Sequence, residues 1–195
     1  MTKYPELYIL RHGQTEWNKI GKFQGVMNSD LTVEGRAQAS AQGRILTQLG
    51  ADQMPLDCFA SPLGRTRETA VLALSGINKP LTFDDRLMEI NFGKWEGLTI
   101  TELALGWPDA GVGGAGNEWY FNSPDGEKFA EMTARVTAFL DRLHRPAILV
   151  THGITSLLLR GIWRGMSQSQ MLAQSRDQGC VYHLKDGQET CVWES

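Results

Sequence analysis

Two histidines occupy matching settings in this chain, His12 in Leu10-Arg11-His12-Gly13 and His152 in Val150-Thr151-His152-Gly153, each following a short apolar run. A third segment, Ser61-Pro62-Leu63-Gly64-Arg65, opens an expected helix with an arginine near its start. Together these residue types suit a phosphate monoester. Such a substrate needs cations and amide donors around its oxygens, a nucleophile in line with the bond to be broken, and an acid for the departing alkoxide. Arginine grips phosphate through two parallel hydrogen bonds, and a helix start after Ser61-Pro62 offers backbone N–H groups and the positive end of its dipole. Imidazole is a nucleophile when neutral. A His12 surrounded by arginines is expected to stay unprotonated, because a further positive charge there is unfavourable, and no metal is then needed to make the nucleophile. Taken singly the residues are ordinary: a histidine after a strand is usually structural, and Arg65 could pair with Glu68. Burying Arg11 and His12 side by side is different, since it costs stability unless a bound anion or a carboxylate compensates.

The elements that must position these residues follow from the apolar pattern. Leu7-Tyr8-Ile9-Leu10, Leu56-Asp57-Cys58-Phe59-Ala60 and Ala147-Ile148-Leu149-Val150-Thr151 read as strands. From an N-cap at Thr32, with Glu34 in the first turn, Ala37, Ala41, Ile45 and Leu49 predict an amphipathic helix stopped by Gly50. Ser61-Pro62 is expected to cap a second helix running to about Leu74, and Ser123-Pro124 opens a third with Phe129, Met132, Val136, Phe139 and Leu143 inward. Val181–Leu184 and Thr190–Trp193 around Asp186-Gly187 predict a closing hairpin. Alternating strands and helices ending in a hairpin imply an α/β fold, a three-layer α/β/α sandwich with a mostly parallel central sheet and an antiparallel edge. In such a sheet, ligands collect beyond the carboxyl ends of the strands, where this reading puts Arg11, His12, Ser61 to Arg65, His152 and Gly153.

At 195 residues the chain fits a single domain spanning 1–195, with a substrate-facing insertion at about 99–126. Within that insertion Gly111, Gly113, Gly114 and Gly116 accompany Trp107, Trp119, Tyr120 and Phe121, mobile backbone beside contact surface, which suits a lid or rim as well as a plain connection. A net charge of -3 and a pI near 5.8 speak against nucleic acid or anionic membrane as partners, so anion binding must be local. The opening residues lack a signal-peptide pattern and no apolar run reaches spanning length, so a cytoplasmic location is expected. Cys58, Cys180 and Cys191 show no Cys-x-x-Cys spacing and are expected to be buried thiols.

The octet Arg11-His12-Gly13-Gln14-Thr15-Glu16-Trp17-Asn18 resembles the opening signature of the histidine phosphatase superfamily, which includes the cofactor-dependent phosphoglycerate mutases. Further segments resemble the family in their usual order: Phe23-Gln24-Gly25, Asp30-Leu31-Thr32, Ser61-Pro62-Leu63 with Arg65-Thr66, Glu89 with Trp95-Glu96-Gly97, and Val150-Thr151-His152-Gly153. The resemblance implies a phosphoglycerate mutase-like fold in which His12 becomes phosphorylated, Arg11, Arg65 and His152 bind the phosphoryl group, and Asn18 adds a donor. It also implies Glu89 as the proton donor and Gln24-Gly25 as a second phosphate-facing loop whose backbone amides donate; Glu96 and Glu127 are the reserve candidates for the acid.

A mutase needs extra basic residues to hold a doubly charged acceptor, and between Trp95 and Ser123 there is no lysine or arginine. The expected activity is therefore metal-independent hydrolysis of small phosphorylated metabolites by a phosphohistidine route, with no cofactor. A rim of Trp107, Trp119, Tyr120 and Phe121 is expected to shape the choice of substrate. Phosphoryl transfer of the mutase kind and a non-catalytic phosphate sensor on the same fold are the alternatives.

Overall fold

The computed structural model describes residues 3–113 and 117–194. Six strands form one sheet: Leu7–Arg11 (β1), Asp57–Ala60 (β2), Leu81–Phe83 (β3), Ala147–Thr151 (β4), Val181–Lys185 (β5) and Gln188–Val192 (β6). Their spatial order is β3-β2-β4-β1-β5-β6, with the first four parallel and the closing hairpin antiparallel. The helices are Glu16–Lys19 (α1), Val33–Gln48 (α2), Gly64–Ala73 (α3), Ile100–Gly106 (α4), Phe129–Leu140 (α5), Gly153–Arg164 (α6) and Gln168–Leu172 (α7).

Alternation along the buried strands sends side chains to two separate cores. Leu7, Ile9, Phe59, Ala147 and Leu149 face α5 and α6. Tyr8, Leu10, Cys58, Ala60, Ile148 and Val150 face α2 and α3. The sheet is thus covered on both sides, giving the three layers that its near-continuous apolar strands require. The parallel neighbours β1 and β4 lead into helices on opposite faces, α2 and α6. A crevice opens between connections that part in this way, at the carboxyl ends where Arg11 and Thr151 pair.

Several boundaries differ from expectation. Helix α2 buries Gly35, Ala39, Gln42, Ile45 and Leu46, whereas Ala37 is exposed, because steps of four drift off a face that repeats every 3.6 residues. Leu63, not Ser61, caps α3, and Ser61 continues the strand ladder by donating its N–H to the Val150 carbonyl. Helix α5 starts at Phe129, with Lys128 N–H bonded to Glu131, while Ser123 Oγ is bonded to the Phe92 carbonyl. Strand β3, three residues long at the sheet's edge, is too short for a legible pattern. Cys58 and Cys180 are buried, but Cys191 is exposed because it lies on the edge strand β6. No helix among the described residues is long and apolar enough to cross a membrane. The 99–126 segment contains α4 and two short 3₁₀ turns, Pro108–Ala110 and Glu118–Asn122; Gly114 and Gly116 lie outside the described residues.

The loop after β1 is pressed onto the first turn of α2. A Cβ on Gly13 would fall 2.1 Å from the Gly35 carbonyl oxygen, and one on Gly35 would fall 2.0 Å from that of Gln14. Gly161 is also crowded, but by the Met171 side chain, 2.2 Å from its Cβ position. Main chain yields less readily than a methionine. Gly13→Ala is therefore expected to cost about 3 kcal/mol in urea unfolding and Gly161→Ala about 1 kcal/mol, within the range for overpacking; equal losses would disprove the main-chain contact as the constraint.

Candidate active site

The crevice holds a cavity of about 480 Å³ lined by Arg11, His12, Asn18, Gln24, Gly25, Arg65, Glu89 and Gly153, with Trp119 and Tyr120 among its walls. His12 arrives from the end of β1, its N–H donating to the Thr151 carbonyl at 2.9 Å. Arg65 stands in the first turn of α3 and is almost completely buried. Its Nε–H donates to His12 Nε2 at 3.2 Å, and its two terminal nitrogens donate to the carbonyls of Met27 (2.6 Å) and Gly25 (2.8 Å). Glu68, the partner suggested by the sequence, pairs with Arg36 instead.

These contacts settle the state of His12. A guanidinium can only donate, so Nε2 must accept, and the ring proton sits on Nδ1, bonded to the Gly13 carbonyl at 2.8 Å. Burial, then the charges of Arg65 and Arg11, hold the ring well below the ordinary imidazole value of 6.5. His152 is fully buried, with Nε2 2.7 Å from Ser61 Oγ and its ring 5.3 Å from that of His12. It too is held well below 6.5, by burial first and then by Arg65. Among the described residues its Nδ1 has no hydrogen-bond partner, and neither does Arg11 Nε; both are polar atoms out of reach of bulk solvent. Arg11 donates from Nη1 to the Arg176 carbonyl. Burial chiefly, with Arg176 adding, lowers Arg11 to about 10, and burial brings Arg65 to about 10 against the pull of Glu89. Both stay charged at neutral pH.

Glu89 sits at the start of α6. Its Oε1 accepts from the N–H groups of Ile90 and Thr155 and from Thr155 Oγ, each at 3.1 Å, and its Oε2 accepts from the Ile154 N–H at 3.1 Å. The Ile154 and Thr155 N–H groups are orphan amides of the helix start, so the carboxylate caps α6 as well as facing the cavity. Oε2, with one donor against three, has the lone pair left for a proton. The Cβ position of Gly153 is 3.5 Å from both Glu89 Oε2 and Arg11 Nε, so the cation and the carboxylate both lie against this glycine.

The reserve carboxylates have other work. Glu96 Oε1 accepts from the amides of Val26 and Phe92, pinning the loop that holds Arg65, and Glu127 grips Arg135 through both oxygens. The start of α3 also differs from expectation: the N–H of Arg65 goes to Asn28 Oδ1, and those of Thr66 and Arg67 go to the Leu63 carbonyl. The helix contributes a side chain here, and these amides are already occupied. In the Gln24–Gly25 loop, expected to offer amides, the Gly25 carbonyl is turned to Arg65, while Gln24 Nε2 bonds to Thr15 Oγ. Asn18 Oδ1 accepts from Thr15 N–H and Gln178 Nε2, which leaves its amide nitrogen as the end able to donate elsewhere.

Of the expected rim, Trp119 and Tyr120 line the cavity, but Phe121 and Trp107 do not; Phe121 packs edge-on against Phe129 and Trp107 packs against Trp95. Sequence reading missed Lys22, Arg176 and Gln178, which also line it. Nothing local marks Arg176 or Gln178, and only the path of the chain before β5 brings them in. A second cleft of about 550 Å³ opens on the far side of Glu89, among Asp85, Asp125, Glu127, Glu131 and Arg135. Its negative field repels a phosphate ester. Among the described residues no three His, Cys, Asp or Glu side chains are grouped as a metal site would need.

Comparison with known proteins gives this arrangement a lineage. A Salmonella arizonae protein named "Probable phosphoglycerate mutase GpmB" is 35% identical over 158 residues, covering 76% of this chain and 70% of that one. The solved alpha-ribazole phosphatase of Shigella flexneri superposes with a TM-score of 0.81 at 28% identity, over 97% of this chain and 96% of its own. A mycobacterial glucosyl-3-phosphoglycerate phosphatase, solved with VO3, gives 0.79 at 26% identity, over 98% and 99%. Residues 7–195 match the histidine phosphatase superfamily, branch 1, and the chain belongs to that family.

Proposed function

We propose that this protein is a phosphomonoesterase acting on small phosphorylated metabolites through a phosphohistidine at His12, without a metal. The observation that carries this reading is a neutral, buried His12 lining a cavity, its Nε2 accepting from Arg65, between guanidiniums that lie within 4.0 Å of no carboxylate among the described residues. On attack Nε2 exchanges that hydrogen bond for phosphorus, and Arg65 Nε–H turns to a phosphoryl oxygen. In the first displacement Nε2 attacks phosphorus, the bond to the ester oxygen breaks, and Glu89 supplies that oxygen with a proton. In the second, water attacks phosphorus as Glu89 takes its proton; the N–P bond breaks and inorganic phosphate leaves. Arg11, Arg65 and His152 face the transferring group, whose oxygens provide the partners that Arg11 Nε and His152 Nδ1 otherwise lack. Charge on those oxygens has to be stabilised throughout, so fixed cations supply much of the rate.

A second reading has its own support. Transfer to another hydroxyl, as in a mutase, requires cations beyond those at the phosphoryl group, and Arg176 and Lys22 bring such charges from outside the lysine- and arginine-free stretch between Trp95 and Ser123. Water is favoured as acceptor by the phosphatase names of the solved neighbours.

The test is phosphate release from a panel of monoesters with a chelator present, alongside isomerisation of phosphoglycerate. His12→Ala is expected to abolish release. Glu89→Gln is expected to slow esters of poor leaving groups by roughly 10²–10⁴-fold, and good ones far less. Equal slowing of both would remove Glu89 from the acid role, and isomerisation without release would favour the mutase. NMR of the imidazole nitrogens is expected to show His12 neutral, with the proton on Nδ1, at pH 6; a ring half-protonated near 6.5 would contradict its buried, cation-flanked setting. The linkage sign follows from a folded-state value below the unfolded one: below about pH 6.5 the unfolded chain binds more protons, so stability falls with pH.

A further inference from the structure

We propose that Arg176 reads a second anionic group on the substrate, so that the preferred phosphate monoester carries a carboxylate or another phosphate besides the one transferred. This rests on the phosphomonoesterase reading above. The chain has twelve arginines, and among the described residues eight of them lie within 4.0 Å of a carboxylate oxygen. Of the other four, Arg67 lies over the Phe83 ring at 3.9 Å, and Arg11, Arg65 and Arg176 all line the His12 cavity. Among the described residues, eight of the nine arginines outside the cavity find carboxylates, and the three lining it do not. Arg11 and Arg65 are accounted for by the phosphoryl group beside His12. Arg176 is not.

Its side chain is nevertheless held in place. Nη2 donates to the Tyr120 hydroxyl at 2.5 Å, and the guanidinium carbon lies 5.0 Å from the centre of that ring. Tyr120 is itself fixed among Trp119, Phe23 and Phe92, with ring centres 4.2, 6.1 and 6.0 Å away. The remaining donors of a planar, half-buried guanidinium are therefore presented in a set direction, a geometry that matches the two oxygens of a carboxylate or phosphate. Charge in the cavity points the same way. Four positive side chains, Arg11, Arg65, Arg176 and Lys22, face the single carboxylate of Glu89, and a phosphoryl dianion neutralises only two of the three charges left over. A second anion removes the remainder and relieves the repulsion between Arg176 and Arg11 that lowers the latter.

The experiment compares esters that differ in that group: 3-phosphoglycerate against glycerol 3-phosphate, and fructose 1,6-bisphosphate against fructose 6-phosphate. The wild type is expected to favour the charged member of at least one pair by about tenfold or more in kcat/KM, which is the size of a charged hydrogen bond. The first pair isolates a carboxylate and the second a phosphate. Arg176→Gln is expected to bring the preference to within about twofold, chiefly by raising KM for the charged ester, and Arg176→Lys to retain part of it. Should Arg176→Gln fail to fold, Tyr120→Phe removes only the hydroxyl that holds the guanidinium and is expected to narrow the same ratio. A wild type indifferent to the second anion, or a preference that survives these substitutions, overturns the proposal. If the wild type hydrolyses none of the four, calorimetric binding of the same compounds to wild type and Arg176→Gln judges the pocket by the same ratio, while the phosphomonoesterase reading stands or falls on the wider panel.

Discussion

A main-chain carbonyl can hold a guanidinium in place without cancelling its charge, and the cavity is organised around that fact. Arg65 is gripped by the carbonyls of Gly25 and Met27, and Arg11 by that of Arg176. Carboxylates in those positions would give stronger pairs and a neutral site. Carbonyls instead satisfy the donors and leave the field intact, at the cost of burying two cations, and that burial is the chief reason both arginines are lowered to about 10. Burial first, and then the same field, keep His12 neutral and so leave its Nε2 an acceptor.

Much of the surrounding structure can be traced to the placing of those carbonyls. The Gly25–Met27 loop is tied down by Glu96, which accepts from Val26 N–H, and by the approach of Asn28 to the start of α3. The carbonyl of Arg176 depends on the segment between α7 and β5, where Gln178 reaches across to the His12 carbonyl and to Asn18. Glu89 belongs to the same scheme from the other side: it is the cavity's carboxylate, and the amides at the start of α6 keep it off the arginines while holding it beside them. Helix α6 is buried nearly all round, which makes its first turn a rigid mount for that carboxylate.

The aromatic residues of the 99–126 segment divide by role. Trp107 and Phe121 complete the core on the α5–α6 side, while Trp119 and Tyr120 are buried in the same cluster and still present an edge to the cavity. Aromatic side chains combine large apolar contact with, in tyrosine, a polar end. Tyr120 uses both, its ring in the core and its hydroxyl on Arg176.

The amino-acid sequence by itself determined the layers and the family to which the chain belongs. Apolar runs of the right length specify buried parallel strands, and a histidine following each of two such runs is carried to the same end of the sheet, since neighbouring parallel strands end together. His12, Arg11, Arg65, His152 and Glu89 could be named from short ordered segments because each such segment is local in the chain. What local pattern cannot express is which groups satisfy which donors. That Ser61 serves His152 instead of capping α3, that Glu96 holds a loop, that Glu89 caps α6, and that Arg176 enters the cavity from 165 positions beyond Arg11 were decided by tertiary structure alone. The reason is physical: buried hydrogen-bonding groups must find partners across the fold, and the energy of that matching depends on distances between segments that sequence spacing does not encode.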